Sequence, residues 1–250
     1  MPSATETVII TGASTGIGLA TARLFLERDA NLVLNSVNAE RLQSAYEELG
    51  APENAVLVPG DVSDKAVGAR LAETALETFH RIDILVNNAG VFSPKPFLDV
   101  EEADLDRFYR INLKGTYLTT QAVVPAMQRQ GSGSVVNVGT VLVSHALGGV
   151  PASAPVASKG AIHALTVQLA AEFGQDNIRF NTIAPGIVRT PIHPRNGIED
   201  MDQLAGLHLL GRIGEAEEAA EAIVHLATAS FTTGTIYALD GGHTAGHHVG

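Results

Sequence analysis

Short runs of apolar, mostly β-branched residues recur along the chain. Between them lie longer stretches whose apolar residues return every three to four positions. Val8-Ile9-Ile10, Leu32-Val33-Leu34, Val56-Leu57-Val58, Ile84-Leu85-Val86, Val135-Val136-Asn137-Val138, 178–183 and 236–239 read as strands. Helical patterns cover 19–28, 39–49, 64–79, 101–127 with a break, 157–173 and 215–227, with Asn38 and Ser63 as N-cap candidates. The apolar runs lack in/out alternation, so the strands are covered on both faces. That pattern predicts an α/β fold with a parallel sheet between two helix layers. Right-handed crossovers then give a doubly wound, seven-stranded sheet in a single domain spanning 1–250.

Composition narrows the class. Of the 250 residues, 45% are apolar and 17% charged, which suits a compact enzyme and argues against disorder. The net charge of −11 repels phosphate backbones and anionic membranes, so neither nucleic acid nor membrane is expected as a partner. The absence of cysteine removes disulfides, thiolate metal sites and a cysteine nucleophile. The first residues carry neither a basic start nor a cleavable apolar segment, and no run is long enough to cross a bilayer. A soluble, cytoplasmic protein is the expectation.

The segment Thr11-Gly12-Ala13-Ser14-Thr15-Gly16-Ile17-Gly18 joins the first strand to the first helix. Its glycines allow a tight turn and close approach of backbone to a diphosphate, and the helix N-terminus offers free N–H groups and a positive dipole end. The spacing Gly-x-x-x-Gly-x-Gly differs from the common dinucleotide fingerprint. With Asn87-Asn88-Ala89-Gly90, Asn112 in Ile111-Asn112-Leu113-Lys114-Gly115, Ser158-Lys159-Gly160-Ala161, Pro185 to Thr190, and Asp240-Gly241-Gly242, it makes an ordered series covering the chain. The sequence thereby resembles the short-chain dehydrogenase/reductase family in its single-domain, Rossmann-type branch.

The resemblance implies a nicotinamide dinucleotide, NAD(P)(H). Gly12, Ser14, Gly16, Ile17 and Gly18 would cradle its diphosphate, Asp61 and Val62 would flank the adenine, and Asn88, Ala89 and Gly90 would line the ribose side. Lys159 would bond the nicotinamide ribose, and Pro185, Gly186, Val188 and Thr190 would lie along the carboxamide. The place of the acidic residue that NAD-preferring relatives carry after the second strand falls on Ser36. No carboxylate there repels a 2′-phosphate, yet Val37 and Thr15 stand where a basic residue would attract one, so the sequence leans only slightly to NADP(H).

The same resemblance implies catalysis by Ser, Tyr and Lys with an assisting Asn. Asn112 and Lys159 are present, and Thr140 takes the place of the substrate-polarising Ser. Four residues before Lys159 stands Pro155, and none of Tyr46, Tyr109, Tyr117 and Tyr237 supplies the motif Tyr-x-x-x-Lys. Proline has no proton to give, although it fits the first turn of a helix. His145 has the right chemistry for a substitute donor, while an exposed loop histidine is the commoner reason for such a residue. Ser144, Ser153, Thr140 or a water on Lys159 are further candidates.

Two functions follow. One is an oxidoreductase that transfers hydride between nicotinamide and a small organic carbonyl or alcohol, or a related C=N or C=C substrate, with a non-standard proton donor. The other is a catalytically impaired dinucleotide-binding protein, a sensor or scaffold, or a non-redox enzyme on the same fold. His243, His247 and His248 read as a solvated or packing tail, with no metal site expected. Residues 190–210 fall where the family keeps a substrate lid. The helical patterns at 101–127 and 157–173 resemble those that pair subunits there, which implies a homotetramer or dimer.

Overall fold

The computed structural model describes residues 5–191 and 200–246. Seven parallel strands form one sheet in the order β3-β2-β1-β4-β5-β6-β7. They are β1 (Thr7–Ile10), β2 (Asn31–Leu34), β3 (Ala55–Leu57), β4 (Ile84–Asn87), β5 (Gly133–Val138), β6 (Ile178–Pro185) and β7 (Ile236–Leu239). Val8 pairs with Leu32 on one side and with Ile84 on the other, so β1 lies at the centre of the reversal in strand order. In open α/β sheets a crevice opens at the carboxyl ends of the strands flanking such a reversal.

Consecutive strand residues serve opposite faces. Val8, Ile10, Leu32 and Leu34 pack with Phe25 of α1 (Gly16–Leu26) and Ile223 of α7 (Ala216–Thr228). Ile9, Val33 and Leu85 pack with Leu71 of α3 (Lys65–Phe79) and with Val123 and Met127 of α5 (Gly115–Gln130). The alternation is hidden in the sequence because both faces are apolar.

The helix ends follow local chemistry. Asn38 caps α2 (Ala39–Glu48) by accepting the Arg41 N–H at 2.8 Å, as its position predicts. The cap of α3 is Asp64, which accepts from Ala66, and not Ser63, which is buried. The long pattern at 101–127 resolves into α4 (Glu102–Phe108), a wide π-type turn (Tyr109–Lys114) and α5. Helix α6 (Ser153–Phe173) begins four residues earlier than its apolar periodicity indicates, because Pro155 fits within its first turn. Of the expected lid, 192–199 lie outside the described residues, and Met201–Leu207 form 3-10 turns.

Phe180 of β6 is wholly buried, with its ring 5.8 Å from that of Phe173. Phe180→Ala is expected to lower the unfolding free energy by about 3–5 kcal/mol, measured by denaturant titration. A loss below about 1 kcal/mol would show that this face of the sheet is not packed as described.

Candidate functional site

The loop after β1 and the loop after β4 are fastened to each other. The Thr11 hydroxyl accepts the N–H groups of Asn88 and Ala89, both at 3.1 Å. The Asn88 side-chain amide donates to the carbonyls of Thr11 and Gly12, both at 3.0 Å. This close approach explains the glycines. A Cβ on Gly18 would lie 2.4 Å from the Gly12 carbonyl oxygen, and one on Gly12 would lie 2.9 Å from the Ala89 Cα. Gly12 and Gly16 also sit at φ of +65° and +55°, the left-handed region that favours glycine. The result is a side-chain-free cradle at the N-terminus of α1, which fits a diphosphate.

The remaining residues surround that cradle. Ser14 and Ser36 share a hydrogen bond between hydroxyls at 2.9 Å, which brings the end of β2 to the glycine loop. Asn35 reinforces this join: its carbonyl accepts the Ala13 N–H and its side-chain amide donates to Val58 and Gly60. Asp61 pairs with Arg110 at 3.2 Å. Burial opposes its charge, but the Ser63 amide and hydroxyl and the nearby Arg110 and Lys114 charges hold its carboxyl below the usual value. Val62 is buried beneath, against Gly115. From β6, Pro185 ends the strand and Thr190 packs over Gly16, while Val188 turns into the core. Ile17 packs on the core beneath α1.

Gly90 lies between Asn112 and Lys159. A Cβ there would be 3.2 Å from both the Asn112 Oδ1 and the Lys159 Nζ. Asn112, wholly buried in the wide turn, exchanges two hydrogen bonds with the Val91 backbone and donates to the Ser158 hydroxyl at 2.9 Å. Ser158 donates in turn to the carbonyl of Pro155 at 2.7 Å. Lys159 donates to the Val138 carbonyl at 2.6 Å, so the ammonium is moored to the end of β5. The residue keeps some surface, yet its ammonium is enclosed, and burial pushes its pKa down to about 8. Thr140 follows β5, half-buried, with its hydroxyl accepting the Leu142 N–H.

The structure thus gathers Asn112, Thr140 and Lys159 around the ends of β4 and β5. Pro155 is buried in the first turn of α6, Ser153 and Ser144 are exposed, and His145 is partly buried against His243. Thr11 and Asn35 were not evident as site residues from the sequence. Their only signal was a polar side chain at the carboxyl end of a buried strand.

Lys159 yields a stability test. Its folded pKa is below the unfolded value of 10.5, so between pH 8 and 10.5 the unfolded chain binds more protons and stability rises with pH. Relative to Lys159→Met, the wild type is expected to gain up to about 3 kcal/mol across that window, measured by denaturant unfolding. A constant difference between the two proteins would mean that the ammonium is not desolvated.

Nearly the whole chain is similar to known proteins. Residues 12–244 match the family model described as enoyl-(acyl carrier protein) reductase. The chain is 35% identical over 237 residues to the 3-oxoacyl-(acyl-carrier-protein) reductase FabG of Thermotoga maritima, covering 94% of this chain and 96% of that one. It is 34% identical over 245 residues to the L-rhamnose 1-dehydrogenase (NAD(P)(+)) of Sphingomonas sp. strain SKA58, covering 95% of each. The solved structure of gox2181 superposes with a TM-score of 0.92 at 28% identity, covering 97% of this chain and 96% of that one. With the glycine cradle, the Asn112–Gly90–Lys159 arrangement and these relatives together, the chain belongs to the short-chain dehydrogenase/reductase family.

Proposed function

We propose that the protein is an NAD(P)-dependent oxidoreductase that transfers hydride between nicotinamide and a small organic carbonyl or alcohol, or a related C=N or C=C substrate. The observation that carries this reading is the packing of Gly90 between Asn112 and Lys159 at the strand ends next to the glycine cradle. When bound, the cofactor supplies a ring carbon that gives or takes the hydride. The chain's own residues do the rest. The cradle of Gly12, Ser14, Gly16, Ile17 and Gly18 holds the diphosphate, and Asp61 and Val62 flank the adenine. Asn88, Ala89 and Gly90 line the ribose side, while Pro185, Gly186, Thr190 and the backbone at Val188, whose side chain is in the core, line the carboxamide. Lys159 turns from the Val138 carbonyl to the ribose hydroxyls, and its enclosed charge favours negative charge developing on a substrate oxygen. The Thr140 hydroxyl polarises that oxygen.

The acid is a group other than tyrosine, because Pro155 occupies the place four residues before Lys159. This same residue favours the second reading, a protein that binds the dinucleotide without redox turnover or a non-redox enzyme. Cofactor choice leans to NADP(H), supported by the neutral Ser14–Ser36 pair at the end of β2. Absorbance of the reduced cofactor against a panel of ketones, alcohols, imines and enones decides between the readings. Turnover is expected, with NADP(H) bound more tightly than NAD(H) in binding isotherms. Tight binding without turnover would establish the second reading, and a clear NAD preference would overturn the lean. Pro155→Tyr is expected to add ordinary carbonyl reductase activity, and no gain would mean that the remaining site is not arranged for it.

We also infer a homo-oligomer, a tetramer or dimer. Leu105 on α4, Tyr109, Tyr117 on α5 and Val167 on α6 are about half exposed, on the helices that the family resemblance assigns to subunit pairing. Size exclusion with light scattering is expected to give a multiple of the 26.1 kDa chain. A monomer across the micromolar range would contradict it.

A further inference from the structure

Three imidazoles converge beside Thr140, each from a different segment. His145 follows the 3-10 turn Val141–Val143, His208 follows the turns Met201–Leu207, and His243 lies four residues past β7. The rings of His145 and His243 meet edge to face at 5.0 Å between centroids, and those of His208 and His243 lie 5.7 Å apart. His243 is 1% exposed, whereas His145 keeps a share of its surface. His243 also walls a cavity of about 30 Å³, whose other walls are Thr140, Val141, Leu142, Pro185, Gly186 and Ile187. His243 and Thr140 therefore border one small space beside the end of β6.

We propose that His243 exchanges the reaction's proton with the substrate oxygen, in the role left open by Pro155, and that His145 connects it to solvent. This rests on the oxidoreductase reading above. In the reducing direction, the carbonyl carbon gains a hydride, with its two electrons, from reduced nicotinamide. The carbonyl oxygen, polarised by Thr140, takes the proton of the His243 imidazolium. An alcohol, oxidised nicotinamide and neutral imidazole result, and a proton passed through His145 restores the imidazolium. Oxidation runs the same steps backwards, with neutral His243 as the base.

The neighbours of His243 divide the labour. The Nε2 of His208 accepts the Ile187 N–H at 3.2 Å, so its proton sits on Nδ1 and the ring serves to hold the Gly186–Ile187 turn. A Cβ on Gly186 would lie 2.9 Å from that same Nε2, which shows how closely the ring supports the turn. Asp240, at the end of β7, spends its oxygens on Gly242 and on the Thr244 amide and hydroxyl. The groups facing His243 are thus His145 from the turn after β5, His208 from the 3-10 turns, and Asp240 from its own segment. Burial lowers the pKa of His243 most, the neighbouring His145 and His208 imidazoles lower it further, and Asp240 and the Leu207 backbone oppose them. Reduction should therefore quicken as pH falls through a value below 6.5. Removing the His145 charge should move that value upward.

The test uses the full-length protein, reduced cofactor and the best ketone of the panel between pH 5 and 9, with circular dichroism and cofactor affinity as controls. His243→Gln is expected to bind the reduced cofactor normally, lose about 10²-fold or more in kcat, and lose the imidazole step in the pH profile. His145→Gln is expected to shift that step to higher pH. A folded His243→Gln within about threefold of wild-type kcat, with its profile unchanged, overturns this proposal and leaves the oxidoreductase reading standing. Should His243→Gln not fold, an unshifted profile in His145→Gln overturns it equally. A wild type that turns over no substrate sinks the oxidoreductase reading itself, and this proposal with it.

Discussion

The Asn88 carboxamide and the Thr11 hydroxyl tie together two chain segments 77 residues apart, and the site is built outward from that tie. It forms where the strand order reverses, so the loops after β1 and β4 leave the sheet side by side. Drawing them this close leaves no room for side chains at Gly12 and Gly18. The backbone that results is bare, with the N–H groups of a helix start beside it. The same constraint thus explains both the glycine pattern and its fitness for a diphosphate.

On the other side of the crevice, a buried polar ladder performs a comparable task. Asn87 donates to Asn137 and Thr120, Asn137 donates to Thr166, and Thr166 meets Thr182, each at 2.7–3.0 Å. The ladder ties β4, β5 and β6 to α5 and α6 through groups whose burial would be costly if they were left without partners. It fixes α6 against the strand ends, and α6 carries Lys159. The wide turn Tyr109–Lys114 brings Asn112 onto the same point from the opposite direction, as such turns do at functional sites. Both residues are held by hydrogen bonds within the chain, Asn112 to Val91 and Ser158 and Lys159 to the Val138 carbonyl.

Much of this was legible in the sequence. Uninterrupted apolar runs such as Val8-Ile9-Ile10 reported a sheet covered on both faces, and the glycine spacing with its ordered companions reported the family. What escaped depends on contacts between distant segments. The wide turn at 109–114 carries an ordinary helical pattern, because its bonding is set by packing on Val91 and Ser158. Ser63 and Asp64 are both good caps, and only the burial of Ser63 decides for Asp64. Thr11 looks like any residue at a strand end until Asn88 is seen beside it. His243 sits in a Gly- and His-rich tail with no periodicity to place it, yet it packs against His145 and His208.

In the proposed oxidoreductase the glycine cradle, Lys159 and Thr140 would address successive parts of one nicotinamide dinucleotide and its substrate. A crystal structure with reduced cofactor bound reports on all three at once. The diphosphate is expected on Gly12–Gly18, with Lys159 within hydrogen-bonding distance of the nicotinamide ribose and the ring's reactive carbon facing Thr140 and the cavity beside it. A nicotinamide directed away from Thr140, or a dinucleotide bound elsewhere on the chain, would contradict it.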